Sequence, residues 1–524
     1  MRIAFVTPEY ITEETFDGGL SNYLYRVSIA LKNMGHEPVI FVSSNKNNEV
    51  IRHKNIEVHR ILIDHKNTVQ FDDHDFNNAI YWIYQSKLLN KKVEETHKLN
   101  PFDIIQYSSW MSTAFFRIQY IPSVVRISSY QKLWDEAYKE TTSSTGQKIK
   151  QDLEICSLKL ADSIIGPCKN ILYHLEKDYN IKGELIESPF IQTVNLNEYD
   201  NSIYKKYLEN KKYILFFGTI GILKGCLLIS EIIKNLLNEY QDIYFVFVGK
   251  NTEYNNKLFI DYIKDKAEKY HNRIIHINKI PHSQLYPIIK QSDFVVLPSL
   301  VDNFPNTCIE SMAHKKIVIG TTETGFEQLI TNNVNGFLIN KEKPEELLNQ
   351  IKKVINLNNS AKTEIEEKAY EKILTLAPEK VVNNLIDYYN YTIGNFKTNN
   401  KKINFLITFY NNLLSNFIEE RYKTHKVYAN MHQDNENLKA LYEEKEKSCN
   451  QIYQDNEKLK ALYEEKEKSC NQIYKDNEKL KALYEEKEKD YKYLEENMLQ
   501  IKALYEQKEK DYKYLEENML QIKA

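Results

Sequence analysis

Short apolar runs alternate with helix-patterned segments through the first two-thirds of this 524-residue chain, and few folds accommodate that rhythm. "RIAFVT" (2–7) reads as a buried strand. Leu20, Leu24, Val27, Leu31 and Met34 then recur at helical spacing, and Gly35 marks a stop. "PVIFVSS" (38–44), "FDIIQYS" (102–108), "SVVRISS" (123–129) and "SIIGPC" (163–168) read as further strands, with a helix over 149–162 before the last. Buried strands separated by helices imply parallel β-α-β units in a doubly wound sheet. The pattern loosens over 186–200 and restarts at "YILFFGT" (213–219). "IYFVFVGK" (243–250), "RIIHIN" (273–278), "DFVVLPS" (293–299), "KIVIGTT" (316–322) and "NGFLI" (335–339) follow as strands. Helices are expected over 226–239, near 254–270, after Pro281 and near 307–315.

The fold class is therefore α/β, with two Rossmann-like units facing each other. Such a length exceeds what one core supports. The expected divisions are 1–190 and 191–377 for the two units and 378–393 for a helix returning to the first. An amphipathic helical linker is expected over 394–433, and a long α-helical coiled coil over 434–524. In the linker, Ile403, Leu406, Ile407, Tyr410, Leu413, Leu414 and Phe417 share one helix face. That face suits packing on the domain or on a second copy, and a membrane-surface helix is the other reading. From 434 the sequence repeats with a period of 21 residues, three heptads, as a left-handed coiled coil requires. The seam Leu438, Leu441, Lys445, Ser448, Ile452, Asp455, Leu459, Leu462 is apolar at only five of its eight positions. The coil is then weak per heptad, and a single solvated helix competes with it.

Composition removes several function classes. A net charge of −3 leaves no basic excess for nucleic acid. Six cysteines without a C-x-x-C indicate neither a zinc site nor a disulfide framework. No apolar stretch approaches the roughly 20 residues of a membrane span. The expected location is cytoplasmic, with peripheral contact at the inner face of a membrane as an extension. Cys156, Cys168, Cys226 and Cys308 read as small core residues, His276 as structural, and Cys449 and Cys470 as free thiols.

Chemistry concentrates where strand 293–299 empties into "LVDNFPNT" before a helix. Open α/β sheets bind ligands beyond the carboxyl ends of their strands. Two carboxylates, Asp302 and Glu310, stand eight positions apart there. Thr307 with Glu310 has the spacing of a capping box, a purely structural reading. The other reading uses the helix N-terminus as a diphosphate site. Glu310 then accepts ribose hydroxyls, and Asp302 reaches hydroxyls of an attached sugar. "FFGTIGILKG" (216–225) faces the same crevice, with Gly218, Gly221 and Gly225 permitting close backbone approach and Lys224 supplying a cation. The loop "PEYITEETFDGG" (8–19) exceeds the usual roughly 2–6 residues and ends in Gly18-Gly19 just before a helix. No Asp-x-Asp at a strand end offers a metal site.

Taken in order, these segments resemble the retaining glycosyltransferases of family 4. The matching pieces are "DGGLSNYLYRVSIAL…GHEPVIF", "LEICSLKLADSIIGPCKNI", "ILFFGTIGILKGCLLISEII", "YFVFVG" and "QSDFVVLPSLVDNFPNTCIESMAHKKIVIGTTETGFEQLITNNVNGFLI", together covering about 1–392. The resemblance implies the GT-B fold and transfer of a sugar from a nucleotide-sugar to a glycan or lipid-linked acceptor in cell-envelope polysaccharide synthesis. Neither cofactor nor metal is expected, and self-association through the coiled coil is. It casts Lys224, Asp302 and Glu310 as catalytic: Lys224 at the diphosphate, Asp302 near the donor sugar, Glu310 at the ribose. Gly18, Gly19, Gly218, Thr219, Phe304, Pro305, Asn306 and Thr307 fall at substrate-binding positions. Four positions depart from the family pattern. Thr219 replaces an arginine, for which Arg126 is a candidate substitute; Asp302 replaces a glutamate; Ser128 or Ser129 replaces a histidine; Gln328 replaces a glutamate. Two other readings stand beside this one. One is a coiled-coil scaffold with a degenerate transferase domain. The other is a GT-B sugar-nucleotide epimerase, which needs no separate acceptor.

Overall fold

The computed structural model describes residues 1–13, 18–64, 74–138, 144–191 and 196–397. The 401–420 stripe and the repeats from 434, with Cys449 and Cys470, lie outside the described residues. Among the described residues, eight strands form the first sheet: β1 (Arg2–Thr7), β2 (Glu37–Ser44), β3 (Glu49–His53), β4 (Ile56–Leu62), β5 (Ile104–Ser108), β6 (Ser123–Arg126), β7 (Ser163–Gly166) and β8 (Glu184–Leu185). Their order is β3-β4-β2-β1-β5-β6-β7-β8. Only β3 runs antiparallel, against β4. The second lobe begins with β9 (Lys212–Phe217) and β10 (Ile243–Val248), followed by a two-stranded ribbon of β11 (Glu253–Tyr254) and β12 (Lys257–Leu258). It continues with β13 (Ile274–Ile277), β14 (Phe294–Val296), β15 (Val318–Thr321) and β16 (Phe337–Ile339). Its main sheet is wholly parallel, in the order β13-β10-β9-β14-β15-β16.

These are two Rossmann-like parallel sheets, and each reverses its winding beside its first strand. The reversal lies between β1 and β5 in one lobe and between β9 and β14 in the other. A crevice opens at the carboxyl ends of the strands on either side of such a point. The loops carrying the sequence-predicted residues leave from there.

Two features escaped the sequence reading. One is the β3–β4 hairpin, which turns on Lys54 and Asn55, both with positive φ, as the two-residue turns matching strand twist require. The other is helix His74–Leu99, whose buried face includes the polar Gln85, Ser86 and Asn90 and so lacks a clean apolar stripe. The helix expected near 254–270 is shorter, Phe259–Ala267. Asn255 and Asn256, at φ 50° and 60°, first fold the β11–β12 ribbon.

Helix Pro378–Gly394 opens with proline at its first turn, where the missing N–H is harmless. It packs against helix Gly19–Asn33. Val381, Val382, Leu385 and Tyr389 join Ile3, Phe5, Val27 and Leu31 in one buried cluster. The Tyr389 hydroxyl donates to Gln106 Oε1 at 2.6 Å, and Thr392 donates to Ser163 Oγ at 2.8 Å. The chain thus returns to its first lobe after completing the second. Leu385→Ala, which opens a cavity in that cluster, is expected to destabilise the protein by about 2–5 kcal/mol, read by denaturant unfolding.

Candidate active site in the interlobe crevice

The second-lobe wall is made by two loops at the β9/β14 reversal. After β9 the chain turns at Gly218 and reaches the helical turn Ile222–Lys224. Gly225 then adopts φ 72°, and a Cβ there would lie 1.7 Å from the Pro298 carbonyl oxygen. Only glycine lets this loop lie against the loop after β14. The Leu300 N–H donates to the Leu223 carbonyl at 2.8 Å, tying the two together. Across that junction Lys224 Nζ meets Asp302 Oδ2 at 2.5 Å. The Asp302 carbonyl accepts the Gly325 N–H at 2.6 Å, which anchors the loop from the other side.

Helix Asn306–Ala313 starts with Pro305 as its N-cap and has no side-chain cap. The capping-box expectation is therefore corrected. The helix begins too early for it, placing Thr307 inside the first turn rather than at the cap. Glu310 is 4% exposed. Its carboxylate lies 3.6 Å from Arg26 and 3.4 Å from His282 Nε2. Arg26 comes from helix Gly19–Asn33 of the first lobe and also donates to Asn306 Oδ1 at 3.0 Å. Burial lowers the pKa of its guanidinium, and the adjacent Glu310 carboxylate opposes that shift.

Gly18 is the N-cap of helix Gly19–Asn33. At Gly19 a Cβ would stand 3.1 Å from Asn306 Nδ2, so the two helix N-termini approach across the lobes at a residue without a side chain. Thr307 lies near Gly218, while Phe304 and Pro305 are buried beneath the loop. Thr219 is half-buried beside Gly218 and brings no charge. Arg126 takes its partners within the first lobe. Its guanidinium lies 3.6 Å over the Tyr23 ring and donates to Ser188 Oγ at 2.7 Å.

Polar groups without net charge shape the first-lobe wall. The loops after β5 and β6 lock together where Ser109 Oγ accepts the Ser128 N–H at 3.0 Å and donates to the Ser129 carbonyl at 3.0 Å. Asn303 Nδ2, next to Asp302, crosses the crevice and donates to the Ser128 carbonyl at 2.7 Å. Beneath sits buried Glu154, accepting the Gln131 N–H at 2.7 Å and the Ser129 hydroxyl at 3.3 Å. Desolvation pushes its pKa up to about 8, against these hydrogen bonds. Gln328 adds another bridge, donating to Glu187 at 2.8 Å and accepting the Lys169 N–H at 3.4 Å.

The arrangement groups Lys224 with Asp302, Gly19 with Asn306, and Glu310 with Arg26 and His282. Sequence reading missed Arg26, His282, Asn303 and Glu154. Arg26 had a signal: it is a lone cation at helical spacing from Tyr23 and Ala30, both buried. Among the described residues, no three His, Cys, Asp or Glu cluster as a metal site requires. Nor is any described helix long and apolar enough to cross a membrane.

Residues 201–372 match the family described as glycosyl transferases group 1. An uncharacterised glycosyltransferase of Methanocaldococcus jannaschii is 20% identical over 390 residues, covering 70% of this chain and 94% of that protein. A second from the same archaeon is 26% identical over 169 residues; the match covers 31% of this chain and 44% of that relative's length. Among solved structures, sucrose-phosphate synthase from Thermosynechococcus elongatus superposes with a TM-score of 0.59 at 16% identity, covering 75% of this chain and 99% of that one. An Anabaena protein solved with UDP and glucose superposes at 0.53 with 16% identity, covering 76% and 100%. The chain therefore carries a group 1 glycosyltransferase domain within a GT-B-like α/β fold.

Glu154 gives the crevice a pH signature. In the unfolded chain its carboxyl ionises above about pH 4.5, whereas in the fold it stays protonated until about pH 8. The folded state binds more protons across that window, so this group's contribution to stability falls as pH rises through it. Glu154→Gln is expected to flatten the stability profile between those limits, with a gain over wild type that grows toward pH 8. Thermal melts across that range measure it.

Proposed function

We propose that this protein is a retaining glycosyltransferase that moves a sugar from a nucleotide-sugar to a glycan or lipid-linked acceptor, in the synthesis of a cell-envelope polysaccharide. The observation that carries the reading is the Lys224–Asp302 pair beside the N-terminus of helix Asn306–Ala313, all at the winding reversal of the second sheet. A helix N-terminus offers unpaired N–H groups and positive dipole to a diphosphate. Glu310, buried and braced by Arg26, accepts hydrogen bonds from the ribose hydroxyls. The incoming diphosphate competes for the Lys224 ammonium, which frees the Asp302 carboxylate for the hydroxyls of the donor sugar.

As the glycosidic bond breaks, negative charge grows on the β-phosphate oxygen. Lys224 and backbone N–H groups near 305–308 stabilise it, the kind of preorganised electrostatics that usually dominates catalysis. Retention follows from attack of the acceptor hydroxyl on the face the nucleotide leaves, with its proton passing to the departing phosphate. No covalent intermediate with the protein is needed, and Asp302 positions the sugar rather than acting as nucleophile. Neither metal nor further cofactor is assigned. The proposal extends to self-association through the sequence repeats after 434 and to work on the cytoplasmic side, in peripheral contact with the membrane.

The test is thermal unfolding of the full chain against UDP-, GDP-, ADP- and CMP-sugars, with Lys224→Ala alongside. One nucleotide class at a hundred times its dissociation constant is expected to stabilise the wild type by about 2.7 kcal/mol and to lose most of that in the variant. NMR of the transferred sugar's anomeric proton is expected to report retention. A folded sample that responds to no donor overturns the proposal. Turnover of donor alone to an epimeric nucleotide-sugar overturns it in favour of epimerisation.

A further inference from the structure

Glu310 sits against a row of rings from the second lobe. Helix His282–Gln291 carries His282 at its first position and Tyr286 one turn on, and His314 caps helix Asn306–Ala313 at its C-terminus. Ring centroids are 5.3 Å apart from His282 to Tyr286 and 4.6 Å from Tyr286 to His314. His314 Nδ1 donates to the Glu310 carbonyl at 2.7 Å. Its Nε2 accepts the Tyr199 hydroxyl at 2.8 Å, and burial lowers the pKa of the ring, which favours this neutral form. Tyr286 is buried, whereas the His282 side chain, at the end of the row, is 42% exposed.

We propose that His282 is a positioning residue for the donor nucleotide: with Arg26 it holds one oxygen of the Glu310 carboxylate, so that the other is presented to the ribose hydroxyls. The inference rests on the transferase reading and adds to it a residue and the part of the donor through which that residue acts.

Three observations carry it. The first is convergence. Arg26 from the first lobe lies 3.6 Å from Glu310 Oε1, and His282 Nε2 from the second lobe lies 3.4 Å from the same oxygen. The terminal torsion of a glutamate is broad when nothing restrains it. Two bases acting on one oxygen from opposite lobes restrain it.

The second is unused acceptor capacity. Glu310 is 4% exposed, yet among the described residues no donor hydrogen-bonds either carboxylate oxygen. Buried carboxylates ordinarily have such partners. Neither oxygen is among the fully enclosed polar atoms, so the carboxylate opens onto the crevice. A pair of sugar hydroxyls supplies the donors it lacks.

The third is the place of His282 in the fold. The main sheet of the second lobe is wholly parallel, so the connections after β13 and after β14 leave from the same end. His282 follows β13 and Glu310 follows β14. His314 already fixes the main chain of Glu310 from behind. What His282 adds, from its exposed position, is a hold on the side chain.

The test separates the ribose contact from the fold. Full-length wild type, His282→Ala and His282→Gln are titrated calorimetrically with UDP, GDP, ADP and CMP, and then with the 2′,3′-dideoxy form of the nucleotide that binds wild type. His282→Ala is expected to weaken the ribonucleotide about tenfold and the dideoxy form by no more than about twofold, because the contact that His282 supports is already missing there. His282→Gln, whose amide nitrogen reaches nearly as far as imidazole Nε2, is expected to keep most of the wild-type affinity. Circular dichroism checks that each variant is folded. Three results overturn the inference: equal losses for the two nucleotide forms in His282→Ala, unchanged ribonucleotide affinity in that variant, or a folded His282→Gln as weak as His282→Ala. If wild type binds no nucleotide, the transferase reading fails and this inference falls with it. If wild type binds one and the ribose hydroxyls show no coupling to His282, this inference alone fails.

Discussion

A buried contact between Arg26 and Glu310 joins the two lobes, and the rest of the site is arranged around it. Arg26 is 2% exposed and Glu310 is 4% exposed. A charge so buried is tolerated only beside a partner, and removing one partner leaves the other uncompensated. The pair adds little net stability, because desolvating two ions offsets most of their attraction. What it fixes is geometry. With Arg26 seated between Glu310 and Asn306, the N-termini of helices Gly19–Asn33 and Asn306–Ala313 are brought close enough that a Cβ at position 19 would crowd the Asn306 amide at 3.1 Å. Asn303 on Ser128 and Gln328 on Glu187 continue the same seam.

The division of labour between lobes follows from this seam. The second lobe carries the charged groups of the crevice, Lys224, Asp302 and Glu310, on loops at its winding reversal. The first lobe contributes Arg26 as a brace and Glu187 farther along the seam, and otherwise presents serines and backbone carbonyls. Glu154, beneath those serines, is held mostly protonated below about pH 8 by desolvation, so the first-lobe wall stays close to neutral under the crevice. The proposed reading, a charged donor on one side and an uncharged acceptor on the other, matches that asymmetry.

Much of this was legible in the sequence, and the reasons for the rest are physical. Continuous apolar runs located the parallel strands, because strands buried on both faces have no polar side to hide them. The segment 226–239 gave its helix to the residue, since its apolar stripe is unbroken. The β3–β4 hairpin was missed because Lys54 and Asn55 carry a weaker turn signal than Asn-Gly. Helix His74–Leu99 was missed because Gln85, Ser86 and Asn90 interrupt the apolar stripe of its buried face. Thr307 and Glu310 had the spacing of a capping box, yet the partner of Glu310 lies 284 positions away in sequence. No local pattern encodes a contact of that range. The α/β class and the crevice loops came from periodicity, whereas the brace across them required coordinates.

The most direct measurement is a double-mutant cycle on nucleotide-sugar affinity, using Arg26→Met, Glu310→Gln and the two combined, with the donor class that stabilises the wild type. A brace that holds in place the carboxylate proposed to bind ribose predicts strong coupling. Each single change weakens binding, and the double variant is little worse than either, a coupling energy of about 1–3 kcal/mol. Additive losses would mean that Arg26 and Glu310 act separately, contradicting a site assembled by their contact.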